Sequence, residues 1–325
     1  MLARVADALY WMNRYIERAE NNSRILDVNL QLTLDFENQN ADRLLQHWEP
    51  IISSLEEHDL FYSMHDEPSA ASVVDFVAFE KKNPNSIYSC VASARENART
   101  VREHISSEMW EQINRLYLFL NSNEAKSVFH GSTYEYFRQI VTGSQLFHGI
   151  TDSTMNHGEG WEFMQIGKCI ERADRTSRIL DVKYHLLLPS GERVGGIIDI
   201  VQWMAVLKSC SALEAYRKQY VGQVAPWKVA EFLITNSTFP RSIRFCVDRL
   251  DDSLHRISGS SSSRFANEVE RLSGRLASDL DFASIHDIFN FGLHEYLDRT
   301  QYRLIQVGDA LLTTYCQWME AASAS

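Results

Sequence analysis

The sequence is poor in glycine and proline. Its 325 residues include 14 Gly and 6 Pro, which is about half of the roughly 12% that these two residues contribute to average proteins. Folds built from many short strands need tight turns, and tight turns use glycine and proline. The scarcity therefore argues against an all-β fold.

The chain also lacks an excess of positive charge. It has 32 Lys and Arg against 43 Asp and Glu, a net charge of −11, and no long basic run. Nucleic acids and anionic membrane surfaces attract basic proteins. The apolar stretch 197–207 is too short and too polar to span a bilayer. The first ten residues include Asp7 and no sustained apolar run, so we expect no signal peptide. We therefore expect no nucleic-acid partner and no membrane partner.

The signatures of metal, redox and nucleotide sites are missing as well. The five cysteines include no Cys-x-x-Cys pair, which predicts reduced, buried thiols in a cytoplasmic protein. No His-Glu-x-x-His or Glu-x-x-His motif is present, so no metal site is predicted. Glycine-rich phosphate loops and the nucleophile elbow are also absent, so no cofactor is predicted and the catalytic residues are unknown.

Apolar residues recur at helical spacing along almost the whole chain, which predicts an all-α fold. Proline, asparagine and serine clusters mark the breaks between helices. The predicted helices cover residues 3–36, 41–55, 71–81, 86–106, 107–120, 133–147, 160–187, 195–216, 226–233, 240–257, 264–280 and 285–321.

An internal repeat is the most informative pattern in the sequence. Residues 17–28 align with residues 171–182, and nine of the twelve positions are identical. Residues 84–91 align with residues 240–247 at nearly the same offset. The two matches predict a duplication of about 155 residues. We expect two helical-bundle halves, residues 1–154 and 155–325, which pack about a pseudo-two-fold axis as one compact unit.

The two halves differ in charge. Residues 1–154 contain 13 basic and 22 acidic side chains, a net charge of −9, whereas the second half has a net charge of −2. Charged stretches are commonly solvated helix faces. The alternative is an acidic docking surface for a basic partner.

In each copy of the repeat, charged residues recur at helical spacing, which places them side by side as a stripe along one face of the helix. The stripe in the first copy consists of Arg14, Glu17, Arg18, Asn21 and Arg24, and the stripe in the second copy consists of Lys168, Glu171, Arg172, Arg175 and Arg178. Arg24 follows Glu20 by four residues, and Arg178 follows Asp174 in the same way. These stripes are the candidate binding or structural motif.

Three interpretations of the stripes remain open: a solvated face, a buried or inter-helical structural pair, and a ligand-binding site. Glu-Arg is retained in both copies, although charges on a solvated face interchange freely. A guanidinium group fits a carboxylate in a planar, bidentate geometry that lysine cannot reproduce. We therefore predict that Glu17 and Glu171 are buried and that each is paired with an arginine.

A second group of arginines is a candidate anion-binding site. Arg95, Arg99 and Arg102 have the spacing of one helix face, and together they could bind a phosphate or a carboxylate. The alternative is a solvated face on which Glu96 and Glu103 neutralise the arginines.

Three segments, residues 9–20, 94–99 and 166–181, resemble the bacterial alpha-E proteins, an all-helical family of unknown function with a Glu-Arg motif. The sequence departs from the family pattern at Asn13, where glycine is expected, at Lys168, where arginine is usual, and at Cys169, where an aromatic residue is frequent. Glu171 and Arg172 are retained.

The resemblance implies a role beside other proteins. Alpha-E proteins are associated with circularly permuted ATP-grasp proteins and with transglutaminase-like proteins. The leading interpretation is a non-catalytic or accessory component of a peptide-forming or peptide-modifying system, which binds a peptide or an ATP-grasp-type partner. The alternatives are an enzyme with a Glu/Arg active site between the halves, in which Glu17 or Glu171 is the general acid or base, and a structural scaffold.

Overall fold

The structure is a computed structural model, which describes residues 1–36, 48–55, 57–185 and 196–316. The regular structure of these residues is entirely helical, and they contain no strand. The predicted all-α class is therefore confirmed.

The helices are numbered in chain order. Those of the first 154 residues are α1 (Ala3–Phe36), α2 (Glu49–Ser54), α3 (His58–Tyr62), α4 (Ala70–Val74), α5 (Ile87–Thr100), α6 (Ser107–Leu120), α7 (Asn123–Gly131) and α8 (Thr133–Thr154). Those that follow are α9 (Glu159–His185), α10 (Ile197–Ser209), α11 (Leu213–Gln219), α12 (Pro226–Thr235), α13 (Ile243–Ser258), α14 (Glu268–Asp281), α15 (Ile285–Phe291) and α16 (Leu293–Leu311). A π-helical turn, Asp75–Phe79, follows α4, and another, Leu312–Cys316, follows α16.

Two long helices, α1 and α9, form the centre of the molecule. Helix α1 packs against α9, α5 and α8, and α9 packs in addition against α13 and α16. Helix α1 contains no glycine or proline over its 34 residues, so nothing in its sequence interrupts the helix. The central position of α1 and α9 places the two Glu-Arg segments in the interior.

The helices that flank this centre begin at serine caps. The Ser86 hydroxyl accepts a hydrogen bond from the Ser89 amide at the start of α5, and the Ser242 hydroxyl accepts one from the Phe245 amide at the start of α13. Such caps satisfy amides that the helix itself leaves unpaired. The caps fix the residues at which α5 and α13 begin beside α1 and α9.

Several predicted helices are shorter than expected. The predicted helix 86–106 ends at Thr100, and Arg102 lies in a separate turn of 3-10 helix. The predicted helix 285–321 is interrupted at Gly292, whose φ of 109° is incompatible with a continuing helix. The predicted helix 195–216 is interrupted where Ser211 adopts a φ of 52°.

Other differences lie at the ends of the predictions. The short helices α3 and α7 were not predicted, whereas α8 continues to Thr154, beyond the predicted end at residue 147. The predicted helix 41–55 is described only from Trp48, with α2 beginning at Glu49, and residues 37–47 lie outside the described part. Among the described helices, none combines the length and the apolar character that crossing a membrane requires.

Candidate functional site

The backbones of α1 and α9 approach closely where the helices cross. A Cβ atom at Gly167 would lie 2.3 Å from the Tyr10 carbonyl oxygen, so glycine is required at this contact. The Asn13 amide donates a hydrogen bond of 2.6 Å to the Met164 carbonyl oxygen. Asn13, which stands where the family resemblance leads us to expect glycine, therefore joins the two helices. This crossing brings Glu17 and Glu171 into the same interior region.

Glu171 on α9 is fully buried and is bound by three arginines. Arg18 makes a bidentate contact, with Nε 2.7 Å from Oε1 and Nη2 2.8 Å from Oε2. Arg14 Nε lies 3.0 Å from Oε2, and Arg175 Nε lies 3.1 Å from Oε1. Burial raises the pKa of Glu171, but Arg18 and Arg14 outweigh burial and hold the pKa well below its ordinary value. Glu171 is therefore an ionised carboxylate.

Glu17 on α1 is the counterpart of Glu171, and it is also fully buried. Arg241 Nη1 donates to Oε1 at 2.6 Å, and Arg172 Nε lies 2.9 Å from Oε2. The pKa of Glu17 is raised by burial and lowered more strongly by Arg172 and Arg241. We call the following set the Glu-Arg clasp: Glu17, Glu171, Arg14, Arg18, Arg172, Arg175 and Arg241.

The clasp is reciprocal between the two helices. Arg18 of α1 binds the glutamate of α9, and Arg172 of α9 binds the glutamate of α1. The glutamate and the arginine of each Glu-Arg pair therefore bind partners on the opposite helix rather than each other. The burial of both glutamates shows that the solvated-face interpretation of the stripes is wrong.

The remaining residues of the stripes pair mainly within their own helices. Arg24 Nη2 lies 2.8 Å from Glu20 Oε1, and Arg178 Nε lies 2.9 Å from Asp174 Oδ2. Glu20 also accepts a hydrogen bond from Arg241 Nη2 at 2.5 Å. Lys168 forms no ion pair with a described residue, and burial lowers the pKa of its ammonium group.

Two residues of this region, Arg241 and His148, lie outside the predicted stripes. Arg241 binds Glu17, Glu20 and Asn21 from a position more than 200 residues away in the chain. His148 Nε2 lies 3.1 Å from Glu17 Oε2. The repeat contains a signal for Arg241, because arginine and asparagine exchange places between its two copies. Arg241 aligns with Asn85, and Arg175 aligns with Asn21, which Arg241 contacts.

Three potential metal ligands meet beside the clasp. Glu17, Glu20 and His148 each offer a ligand atom, and these atoms lie within 4.8 Å of one another. The guanidinium groups of Arg172 and Arg241 lie on the same carboxylates. Their positive charges oppose a metal cation, so the absence of a metal site stays our prediction.

The candidate anion site has its arginines engaged with protein groups. Arg95 donates to Asn114 at 2.9 Å and lies over the Tyr117 ring at 4.6 Å. Arg99 Nε donates to Glu96 at 2.8 Å. Arg102 lies in the 3-10 turn that follows α5, and its guanidinium lies 4.5 Å from the Trp110 ring, which Arg95 also contacts at 5.4 Å. The prediction that the three arginines lie on one helix is therefore wrong, whereas anion binding stays a prediction.

The buried thiols are not activated. Cys90 and Cys210 are buried and free, and burial raises the pKa of each thiol to about 12. A thiol becomes a nucleophile only as the thiolate. These cysteines therefore behave as small packing residues.

Proteins similar to this chain include an uncharacterized protein of Mycobacterium bovis and one of Mycobacterium tuberculosis. Each is 27% identical to it over 293 residues, which are 84% of this chain and 32% of the relative. The chain spans about a third of the length of the curated relatives it matches. No solved structure matches it. The sequence pattern of Alpha-E, described as a predicted alpha-helical domain with a conserved ER motif, matches residues 1–316. This chain belongs to the Alpha-E family.

Proposed function

We propose that the chain is a non-catalytic, accessory component of a peptide-forming or peptide-modifying system, in which it binds a peptide or an ATP-grasp-type partner. The partner is a circularly permuted ATP-grasp protein or a transglutaminase-like protein. The free, buried thiols support a location in the cytoplasm, where thiols stay reduced.

The observation that carries this proposal is the engagement of both motif glutamates with arginines. A general acid needs a proton to donate, and a general base needs an accessible lone pair within reach of substrate. Glu17 and Glu171 are ionised, fully buried and bound by two and three arginines, respectively. This arrangement supports a structural role for the Glu-Arg motif and disfavours the alternative of an active site built on it.

A groove in the first half supports the docking of a partner. The groove lies between α6 and α8 and has a volume of about 950 Å³. Its apolar lining includes Leu118 and Leu146, which are 56% and 46% exposed. Exposed apolar surface with a polar rim is typical of protein-binding sites. The charged lining residues are three acids and two bases, Glu111, Glu124, Glu135, Arg115 and Arg138.

We propose that a basic helical segment of the ATP-grasp-type partner occupies this groove. The first half has a net charge of −9, and opposite charge accelerates association in a salt-dependent manner. The relatives support a function together with other domains or proteins, because the region that matches this chain is only 32% of a longer polypeptide.

The test is an affinity titration of this chain against the circularly permuted ATP-grasp protein of the same organism. We expect a complex at micromolar concentration in low salt, and weaker binding above about 0.1 M salt, where the Debye length falls below roughly 10 Å. The triple variant Glu111→Gln, Glu124→Gln and Glu135→Gln should weaken binding. The control removes the same charge elsewhere in the first half, by Glu67→Gln, Glu103→Gln and Asp152→Asn.

The absence of a complex in low salt would overturn the accessory role, and equal effects of the two triple variants would overturn the groove as the docking site. Turnover of a peptide substrate by this chain alone would favour the enzyme alternative.

We also propose that residues 1–154 and 155–325 are duplicated halves that form one compact unit. Equivalent contacts support this proposal. Asn22 donates to the Asn85 carbonyl oxygen at 2.8 Å, and Thr176, which aligns with Asn22, donates to the Arg241 carbonyl oxygen at 2.8 Å. Asn85 aligns with Arg241, so the same hydrogen bond, from a side chain to a backbone carbonyl oxygen, forms at equivalent positions of the two halves.

A further inference from the structure

A cleft of about 520 Å³ opens where the stripe of α1 reaches the surface. Its lining comes from α1, α8, the end of α10, the start of α11 and Ser211 between these two helices. The volume lies within the range of roughly 300 to 1,000 Å³ that small-molecule sites occupy. Arg24 lines the cleft, so the cleft is adjacent to the ion pairs of Glu20.

Two cations in the cleft have donors to spare. Arg24 uses Nε and Nη2 to bind Glu20, and its Nη1 makes no hydrogen bond with a described residue. Lys208 is exposed and forms no ion pair within the described part of the chain. An ammonium group beside a guanidinium group is a suitable site for a carboxylate.

Two carboxylates line the same cleft. Asp27 accepts a hydrogen bond from Gln31 on one oxygen, Oδ2, at 3.0 Å. Glu214 is exposed and forms no ion pair with a described residue. The cleft therefore presents both signs of charge, which fits a ligand that carries a positive group as well as a negative one.

Ser211 adds a strained, unsatisfied group to the lining. Its φ of 52° is in the left-handed region, which residues other than glycine rarely adopt. The Ser211 hydroxyl is buried and has no hydrogen-bond partner in the described structure. Strained backbone is more frequent at active sites and ligand-binding sites than elsewhere, and a buried polar group without a partner is rare in folded proteins.

We propose that this cleft binds a zwitterionic small molecule, either an amino acid or a short peptide with free ends. Arg24 Nη1 and Lys208 bind the carboxylate, and Asp27 and Glu214 bind the ammonium group. The ring of Tyr134, which is 48% exposed, and the side chain of Val141 also line the cleft and contact the ligand's side chain. This inference rests on the peptide-binding part of the proposed function and names its ligand class and its site, which needs no partner protein.

The test is isothermal titration calorimetry of the full chain with the tripeptide Ala-Leu-Ala. The peptide is used with free ends, as its C-terminal amide and in N-acetylated form. We expect saturable binding of one free peptide per chain, and binding at least about tenfold weaker for each blocked peptide, since each loses a charge-assisted contact. Lys208→Gln should weaken binding of the free peptide about tenfold. The control Lys218→Gln removes an exposed lysine that does not line the cleft, and it should bind like the wild type.

Absence of saturation up to about 10 mM free peptide would overturn the proposal, as would equal binding of either blocked peptide or equal effects of Lys208→Gln and Lys218→Gln. Thermal denaturation verifies that both variants fold. The calorimetry uses this chain alone, so a negative result would not affect the proposed complex with the ATP-grasp-type partner. That complex is tested separately by the affinity titration.

Discussion

Replacement of Glu171 by glutamine should strongly destabilise the protein. The substitution keeps the shape of the side chain and removes the charge that three arginines share. Arg14, Arg18 and Arg175 are only 17%, 11% and 6% exposed, so water cannot replace the carboxylate. One carboxylate oxygen becomes an amide NH₂ group, which faces guanidinium donors. The loss of one partner from such a buried arrangement costs about 3 to 5 kcal/mol, and we expect Glu171→Gln to lower the free energy of unfolding by that amount.

The destabilisation should depend on pH. The pKa of Glu171 in the folded protein lies well below its value of about 4.5 in the unfolded chain. A depressed carboxyl pKa stabilises the folded state fully above the unfolded pKa, and this contribution is lost as pH falls through the folded pKa. The difference in stability between wild type and Glu171→Gln should therefore be constant near pH 7 and shrink below pH 4.5.

The assay is equilibrium unfolding in urea at several pH values. The control is Glu96→Gln, because Glu96 is 53% exposed and pairs with Arg99 on the surface. Removal of such a pair should cost less than about 1 kcal/mol. A loss for Glu171→Gln no larger than that for Glu96→Gln would refute the view that the clasp holds the helices together.

Three further predictions concern other positions. Gly167→Ala should destabilise the protein by about 1 to 3 kcal/mol or more, because its Cβ would meet the Tyr10 carbonyl oxygen at 2.3 Å. The control Gly149→Ala, with nothing within 4 Å of the new Cβ, should raise stability slightly. Unfolding of both variants in urea measures the two effects, and equal effects would contradict this prediction. The pKa of the His148 imidazole is lowered by burial despite its contact with Glu17, so NMR should show that it titrates below its ordinary value of 6.5, and titration at or above 6.5 would disagree. Protein purified without chelator should contain no stoichiometric metal or nucleotide, and elemental analysis that finds about one zinc, iron or manganese per chain would reverse this prediction.

The sequence predicts the central helices well, because their signals are local. Helix α1 extends from Ala3 to Phe36, as predicted, since its segment is long, periodic and free of breakers. The helix breaks at Ser211 and Gly292 were missed, because each depends on the φ of a single residue inside a periodic segment.

The clasp could be predicted only in part. Retention of Glu-Arg in both copies predicts burial and arginine pairing, and Glu17 and Glu171 have both. Sequence periodicity on one helix cannot show that Arg18 binds the opposite helix or that Arg241 reaches Glu17. These contacts join residues at least 153 positions apart, and only the packing of the helices brings them together.

The reciprocal clasp has a consequence for the ancestry of the fold. The arginine next to the glutamate of one half binds the glutamate of the other half, Arg18 with Glu171 and Arg172 with Glu17. If the halves arose by duplication, a single ancestral half carried a Glu-Arg pair without the opposite helix whose residues bind that pair here. Two identical copies related by a two-fold axis would satisfy both pairs, since residue i of one copy binds residue j of the other and the reverse contact forms as well. The ancestor of this chain would then have been a symmetric homodimer, and gene fusion would have joined its two subunits into one polypeptide.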